Sequence, residues 1–130
     1  MASIFSKIIA RQIPAYIIAE TDNCIAILDA FPIQKGHTLV IPKKEVNHFL
    51  SLESDLYQEL MDFTQYIGKA VQKAIPCERV CLSIVGFEVP HVHVHLIPAN
   101  SIKDTEFSNP KLKFSADEME NLAALIRQNL

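Results

Sequence analysis

The sequence predicts an α+β fold: a five-stranded antiparallel sheet covered by one long helix, with a short N-terminal helix and a C-terminal helix. Two observations lead to it. Five short runs rich in β-branched residues are bounded by turn residues and mostly joined by hairpin-length connections. The one long connection, between the third and fourth runs, carries apolar residues at spacings of three and four, which indicates an amphipathic helix. The apolar faces of the helices need such a sheet to cover.

The first part of the chain supplies one helix and three strands. The segment SIFSKIIARQ predicts a short amphipathic helix that stops before Pro14. AYIIAE and CIAILD, on either side of the polar turn TDN, predict a β-hairpin. GHTLVIP predicts the third strand, from Gly36 to Pro42, because proline cannot continue the hydrogen bonding of a strand.

The rest of the chain supplies the long helix, two strands and the last helix. Ser51 is the predicted N-cap of the long helix, and Pro76 closes that helix. Its predicted apolar stripe consists of Leu56, Leu60, Phe63, Ile67, Ala70 and Ala74. RVCLSIVG and HVHVHLIP predict the fourth and fifth strands. Ser115 and Glu118 have the spacing of a capping box, which opens a C-terminal helix over about residues 115–129.

Length and composition indicate one domain over residues 1–130. No uncharged apolar run approaches the ~18 residues of a membrane span, so we expect no membrane partner. Lys7 and Arg11 interrupt the apolar N-terminus, which therefore does not resemble a signal peptide, and a cytoplasmic location is predicted. The net charge of −3, with acids and bases mixed along the chain, argues against a nucleic-acid partner. The three cysteines form no C-x-x-C pair and are predicted to be reduced, mostly buried thiols.

The strongest chemical signal is PHVHVHLIP, residues 90–98, which contains three of the five histidines. Successive side chains of a strand point to opposite faces, so His91, His93 and His95 are predicted to share one face and the intervening valines the face toward the long helix. Same-face neighbours are roughly 6.5–7 Å apart, which matches the width of a phosphate group with its ester oxygens. One neutral imidazole can attack phosphorus while the flanking rings position it and donate to its oxygens.

Two other interpretations of this row stay open at this point. The histidines could lie on a solvated strand face without any chemistry. They could also bind a metal ion, since zinc favours histidine and H-x-H places two nitrogens on one ion. A third histidine is hard to bring to the same ion without bending the strand, and no obvious carboxylate or thiolate cluster completes the shell. We therefore favour phosphorus chemistry, with no metal and no cofactor.

The stretch HVHVHLI resembles the His-φ-His-φ-His-φ-φ pattern of the histidine triad (HIT) family of nucleotide hydrolases and transferases. I-F-x-K-I-I, I-P-A, the D-x-x-P turn and GHTLVIPK also follow in the order of that family, so the resemblance covers roughly residues 3 to 98. It implies a HIT-like fold that forms a homodimer. It also implies hydrolysis at the α-phosphorus of a purine nucleotide, for example a phosphoramidate, through a nucleotidyl-histidine intermediate.

The resemblance also implies roles for individual residues. His93 is the expected nucleophile, and His95 the residue that touches the phosphate and helps the leaving group. His91 is expected to support the others through hydrogen bonds, and His37 to orient the nucleophilic imidazole. Asp29 matches the position that holds the ribose hydroxyls, although an aspartate before a proline-containing loop is equally well explained as a turn residue. The positions that wall the base pocket are Ile4, Phe5, Ile8 and Ile27.

Two of the departures from the family pattern bear on the predicted site residues. Many relatives begin C-x-x-C, whose thiolates bind zinc together with two histidines. Here Ser3 and Ser6 stand at those positions, and hydroxyls are poor zinc ligands. His48 with His91 could not hold a structural ion alone, so we predict no zinc.

The second departure is in the phosphate loop, for which Gly86, Glu88 and Val89 are the candidate residues. Glu88 stands where the family has Ser or Thr, and a carboxylate beside a phosphate is repulsive. Glu88 either points away from the phosphate, or is protonated when ligand binds, or contacts a cationic leaving group.

Three alternatives to the predicted hydrolase remain. They are a dinucleoside polyphosphate hydrolase, a non-catalytic nucleotide-binding regulatory protein, and a metal-binding module using the triad.

Overall fold

The computed structural model describes residues 2–130, so Met1, the first residue of the predicted domain, lies outside the described residues. The strands form one sheet in the order β1-β2-β3-β5-β4, with every neighbouring pair antiparallel. Three helices pack against this sheet, which confirms the predicted fold class. The elements are α1 (Ile4–Ile9), β1 (Ile17–Glu20), β2 (Cys24–Leu28), β3 (Thr38–Pro42), α2 (Ser54–Ala74), β4 (Arg79–Ser83), β5 (Val94–Ala99) and α3 (Ala116–Arg127).

The two faces of the sheet are covered by different helices. The long helix α2 and the C-terminal helix α3 pack on one face, where they enclose the larger core cluster with alternate side chains of β2 such as Ala26. The short helix α1 packs on the other face, where Phe5 and Ile8 meet Ile25 and Ile27. Because it is covered on both faces, β2 is buried at every position. The histidines lie on the α1 side, since Val92, Val94 and Leu96 belong to the α2 cluster, as predicted.

Gly36 forms the turn that leads into β3, directly before His37. Its φ of +86° lies in the left-handed region, which L residues with side chains rarely adopt. A Cβ there would also lie 2.7 Å from Cγ1 of Ile75. The start of β3, and with it the position of His37, therefore depends on a residue without a side chain.

The fifth strand begins at Val94, three residues later than the sequence predicted. The amide of His91 donates to the carbonyl of Val89 at 2.8 Å, which forms a turn instead of a sheet hydrogen bond. The amide of Val92 donates to the carbonyl of Val46, also at 2.8 Å, and Val46 lies beyond the end of β3. Only His95 of the triad is therefore a residue of the regular strand, although the alternation of buried valines continues through the preceding segment.

The N-terminus of α2 also differs from the prediction, because Glu53 and not Ser51 is the N-cap residue. Ser51 belongs to a short 3₁₀ helix, Phe49–Ser51, in which its amide donates to the carbonyl of His48 at 2.9 Å. At the C-terminal end the predicted capping box is confirmed: the Ser115 hydroxyl accepts from the amide of Glu118, and the Glu118 carboxylate accepts from the amide of Ser115.

Two further sequence-based expectations can be compared with residues 2–130. All three cysteines are free thiols, Cys24 buried and Cys77 and Cys81 half-buried. No helix in this part of the chain has both the length and the apolar composition that a bilayer crossing requires.

Candidate active site

A cavity of about 440 Å³ opens on the α1 side of the sheet. Its walls come from α1, the end of β2, the loop after β2, and the segment that contains the triad. It collects most of the residues that the sequence analysis assigned to a nucleotide site. These are Ile4, Phe5, Ile8, Ile27, Asp29, Glu88, Val89, His93 and His95. The other three, His37, Gly86 and His91, are not part of the cavity wall.

His91 is fully buried, and both of its ring nitrogens are hydrogen-bonded. Nε2 lies 2.7 Å from the carbonyl oxygen of Pro42, which can only accept, so Nε2 carries the proton. Nδ1 then accepts from the hydroxyl of Ser3 at 2.6 Å. Burial lowers the pKa of His91, partly opposed by the Pro42 carbonyl, and favours this neutral form. The ring therefore has no free nitrogen for a ligand, and it supports its neighbours through its backbone.

His93 is held by that backbone. Its Nδ1 lies 2.7 Å from the carbonyl oxygen of His91 and must therefore carry the proton. The lone pair of a neutral His93 is consequently on Nε2, the other ring nitrogen. The ring packs edge-on against Phe5 at a centroid distance of 4.9 Å and against His95 at 4.8 Å. This arrangement holds the ring that bears the free lone pair in the cavity wall.

His95 is paired with His37, whose Nε2 lies 2.9 Å from Nδ1 of His95. The amide of Ile33 donates to Nδ1 of His37 at 3.2 Å, so His37 carries its proton on Nε2 and donates to His95. His95 in turn carries its proton on Nε2. The prediction that His37 orients the nucleophilic ring is therefore wrong in this geometry: His37 orients His95, whereas the His91 carbonyl orients His93. The two rings in the cavity wall thus have opposite tautomers, a lone pair on Nε2 of His93 and an N–H on Nε2 of His95.

The His37–His95 pair is kept neutral by its surroundings. Burial, followed by the positive charge of Lys111 and that of a protonated His93, lowers the pKa of His37 to about 4. Burial, followed by His37 and His93, lowers the pKa of His95 to about 3, and Asp29 opposes this shift. Both rings are therefore uncharged near neutral pH, and the tautomers are fixed by hydrogen bonds alone.

Asp29, His37 and His95 come close enough together to raise the question of a metal ion. Oδ2 of Asp29 is 3.6 Å from Nε2 of His37, and the other carboxylate oxygen accepts from the amide of Phe31 at 2.8 Å. However, His37 uses its Nδ1 lone pair to accept from Ile33, so its Nε2 bears a proton and has no lone pair for an ion. The donor set fits a hydrogen-bonded pair better than a cation site.

Three of the four positions compared with zinc ligands, Ser3, Ser6 and His91, belong to one hydrogen-bonded cluster. The Ser3 hydroxyl, besides donating to His91, accepts from the amide of Ser6 and so caps α1. The carboxylate of Glu45 accepts from the amide of Ser3 at 2.6 Å and from the hydroxyl of Ser6 at 2.7 Å. These donors, the Ser3 amide first, lower the pKa of Glu45 to about 2. His48 is exposed. Hydroxyls and a carboxylate engaged in these bonds do not fit a structural zinc ion, whose usual ligands are thiolates and imidazoles.

The phosphate-loop candidates are only partly brought to the cavity. Glu88 is exposed and Val89 half-buried, and both contribute to the wall that contains His93 and His95. Gly86 is outside the wall, has a φ of +78°, and has open space where a Cβ would lie. Its positive φ, which residues with a side chain rarely adopt, is what favours glycine at this turn.

Two aromatic residues near the site were missed by the sequence analysis. Phe31 lies in the cavity wall and is 70% exposed, and its place in the D-x-x-P turn could have indicated it. Phe107 packs edge-on against His95 at 4.7 Å, from a part of the chain that matched no motif. No signal in the sequence pointed to it.

Comparisons with known proteins agree with this architecture. The model of the HIT domain family matches residues 10–102. A HIT-like protein of Methanocaldococcus jannaschii is 38% identical over 102 residues, which are 73% of this chain and 77% of that protein. The solved structure of a HIT-like protein involved in cell-cycle regulation from Bartonella henselae has a TM-score of 0.86 at 31% identity, covering 98% of this chain and 96% of that one. A hypothetical histidine triad nucleotide-binding protein of Sulfolobus tokodaii has a TM-score of 0.84 at 28% identity, covering 96% and 89%. The matched region contains all four histidines of the site.

Proposed function

Since this chain belongs to the HIT family, we propose that it hydrolyses a bond to the α-phosphorus of a purine nucleotide, such as a nucleoside phosphoramidate, through a nucleotidyl-histidine intermediate on His93. Family membership supports a nucleotide-related function. The solved relative from Sulfolobus tokodaii, described as nucleotide-binding, supports the ligand class. The observation that carries the hydrolytic step is the pair of opposite tautomers in the cavity wall, one Nε2 with a lone pair and one with a proton.

In the first step the lone pair on Nε2 of His93 forms the bond to phosphorus, and the leaving group departs with the electrons of the broken bond. The leaving group takes a proton from water. The ring of His93 becomes positively charged, and its Nδ1–H bond to the carbonyl of His91 strengthens as it does so. In the second step hydroxide adds to phosphorus, the N–P bond breaks, and His93 returns to its neutral form. Overall, one water is consumed for each bond hydrolysed.

His95 donates a hydrogen bond in both steps and keeps its proton. Because Nδ1 of His95 already accepts from His37, loss of the Nε2 proton would leave an unfavourable imidazolate. The N–H is therefore suited to stabilise charge on a phosphate oxygen or on the departing atom, as an oxyanion-hole donor does. The phosphodiester-like group carries one negative charge, which this donor and the charged ring of His93 offset.

The apolar part of the cavity is suited to a base, and Asp29 to the ribose. Ile4, Ile8 and Ile27 line the cavity, and against these apolar side chains an uncharged flat ring would replace water. The Oδ2 atom of Asp29 is available for a ribose hydroxyl while Oδ1 maintains the turn at Phe31. Glu88, exposed in the same wall, would repel a multiply charged leaving group and tolerate an amine. We further propose that the enzyme is a single domain, is cytoplasmic and acts as a homodimer.

The direct test offers purified protein adenosine and guanosine 5′-phosphoramidate, with diadenosine polyphosphates as a second substrate series. His93→Ala is expected to lower kcat by roughly 10⁴-fold or more, the usual effect of removing a nucleophile. His48→Ala, the matched control at an exposed histidine, should turn over like the wild type. A rapid acid quench should trap wild-type protein with the mass of one added nucleotidyl group.

Turnover that survives in His93→Ala would remove His93 from the nucleophile role. Binding of purine nucleotides with no turnover of either series by the wild type would favour the non-catalytic nucleotide-binding protein. Preference for the dinucleoside polyphosphates would identify the protein as a dinucleoside polyphosphate hydrolase without changing the role of His93.

A further inference from the structure

The chain between β5 and α3, residues 100–115, here called the β5–α3 connection, forms an ordered cover at one end of the triad. It contains a short 3₁₀ helix, Ile102–Thr105, and its turns are closed by internal hydrogen bonds. The amide of Asn100 donates to the carboxylate of Asp104, and the side-chain amide of Asn109 donates to the carbonyl of Lys103 at 2.7 Å. These bonds give the connection a defined shape of its own.

The connection is also anchored to the loop that precedes His37. The amide of Leu112 donates to the carbonyl of Pro32 at 2.8 Å. Pro32 precedes Ile33, whose amide fixes the tautomer of His37. The segment between Asn109 and Leu112 is therefore held next to the backbone that orients His37.

Phe107 is the residue by which the connection reaches the two rings. Its ring centroid lies 4.7 Å from that of His95, with the planes at 67°, and 6.3 Å from that of His37. Phe107 is itself half-buried, although it belongs to a surface segment. An aromatic ring in edge contact excludes water from one side of an imidazole and limits its rotation. His95 is thus enclosed between Phe107 and His93.

The charged and titratable groups that face His95 are few. His37 and His93 are its neighbours in the site, the Asp29 carboxylate lies within 4.8 Å of both His37 and His95, and Lys111 of the connection adds a positive charge. Lys111 is exposed, and its ammonium lies 3.5 Å from the carbonyl of Phe107. The connection therefore packs an apolar ring against His95 and adds a nearby positive charge that acts on both His37 and His95.

We infer that Phe107 is a positioning residue of the active site, which keeps the His37–His95 pair dry and uncharged so that the N–H of His95 stays aimed into the cavity. The role in catalysis rests on the function proposed above, whereas the effect on the two rings does not. Without Phe107, water would reach both rings and favour their protonated forms. Protons on both facing nitrogens cannot share the His37–His95 hydrogen bond, so His95 would lose its orientation.

The test compares Phe107→Ala and Phe107→Leu with Ile102→Ala, a matched control in the same connection whose side chain is 86% exposed. Imidazole NMR titrations should show the His37 and His95 pKa values moving toward the ordinary 6.5 in Phe107→Ala, less in Phe107→Leu, and not in the control. The acidic limb of kcat/KM should move to higher pH in the same order. At pH 7 the kcat/KM of Phe107→Ala should fall roughly tenfold to a hundredfold, as expected for a misplaced catalytic group.

A second variant tests the charge. Lys111→Met keeps the alkyl chain and removes the ammonium, so both histidine pKa values should rise slightly, and the rise should shrink as salt is added. If Phe107→Ala is folded by its NMR spectrum and both pKa values equal those of the wild type, Phe107 has no positioning role. Should Phe107→Ala fail to fold, the same criterion applies to Phe107→Leu. Because the titrations need no substrate, their result stands even if the wild type turns over no nucleotide.

Discussion

The two ends of the triad use the same residue in opposite ways. At the Ser3 end, His91 has both nitrogens satisfied by protein atoms, the Ser3 hydroxyl and the Pro42 carbonyl. At the His37 end, His95 has one nitrogen satisfied by His37 and presents the other in the cavity wall. The H-x-H-x-H spacing therefore does not by itself assign chemistry to its members. The atoms that each ring meets decide which nitrogen remains for a ligand.

The same substitution at both ends should separate the two roles, and the largest effect is expected for His95→Asn. The asparagine carbonyl can still accept from His37, whereas the N–H in the cavity is lost. We expect kcat to fall roughly 10²- to 10³-fold, as for the removal of one oxyanion-hole donor, with a small change in stability. Steady-state kinetics on a phosphoramidate and urea unfolding measure the two quantities. A His95→Asn protein with wild-type kcat would contradict the role given to His95.

Lowering the pH should destabilise the folded protein mainly through the His37–His95 pair. The pKa values of His37 and His95 are lowered to about 4 and about 3, so between these values and the ordinary 6.5 the unfolded chain binds protons that the folded protein does not. The contribution of this pair to stability is therefore fully present above about pH 6.5 and is lost as the pH falls toward 4. At about 1.4 kcal/mol per unit, we expect a loss on the order of 3 kcal/mol for each of the two rings.

Urea unfolding between pH 7 and pH 4.5 measures this loss. His95→Asn removes one of the two groups and should give a shallower dependence, while His48→Asn, at an exposed histidine, should keep the wild-type slope. Equal slopes in the wild type and His95→Asn would mean that the pair is not held neutral in the folded protein.

His91→Asn should show the reverse of His95→Asn. The asparagine can still accept from Ser3, but the buried carbonyl of Pro42 loses its donor, and the smaller side chain leaves space in a fully buried site. An unsatisfied buried acceptor costs about 2 kcal/mol. We expect unfolding at a lower urea concentration with kcat reduced much less than in His95→Asn, because the backbone carbonyl that holds His93 remains. If His91→Asn and His95→Asn lower kcat to the same degree, the structural role assigned to His91 is contradicted.

The sequence predicted what depends on periodicity, and it missed what depends on contacts between distant segments. Alternation placed Val92 and Val94 against α2 and the histidines on the opposite side. The partner of His37 could not be predicted this way, because the turn at Val89 and the bond from Val92 to Val46 displace the segment before β5 from regular sheet geometry. The two-residue spacing of the histidines therefore could not predict the hydrogen-bond partner of each ring nitrogen.

The apolar cavity residues could be predicted from the family resemblance, whereas Phe107, in the part of the chain after β5, could not. Ile4, Phe5, Ile8 and Ile27 all reach the cavity, since they come from a helix and a strand whose apolar faces are fixed by the fold. Phe107 comes from a connection whose shape is set by local hydrogen bonds and by the bond between Leu112 and Pro32. Such a segment has no periodic pattern, so only the structure brings it to His95.

A substitution at Ser3 should have a smaller effect than any of those at the histidines. In Ser3→Ala, the Nδ1 of His91 loses its donor and α1 loses its N-cap, while His93 and His95 keep every hydrogen bond described above. A lost N-cap typically costs about 1 kcal/mol, so a modest fall in unfolding free energy with near-normal kcat is expected. Ser6→Ala is the matched control, because its hydroxyl bonds only to the exposed Glu45 and to Ser3 at 3.4 Å. It should therefore be closer to the wild type in urea unfolding. If Ser3→Ala instead lowers kcat as strongly as His95→Asn, the Ser3 end is part of the chemistry and the division of the triad into a structural and a catalytic end fails.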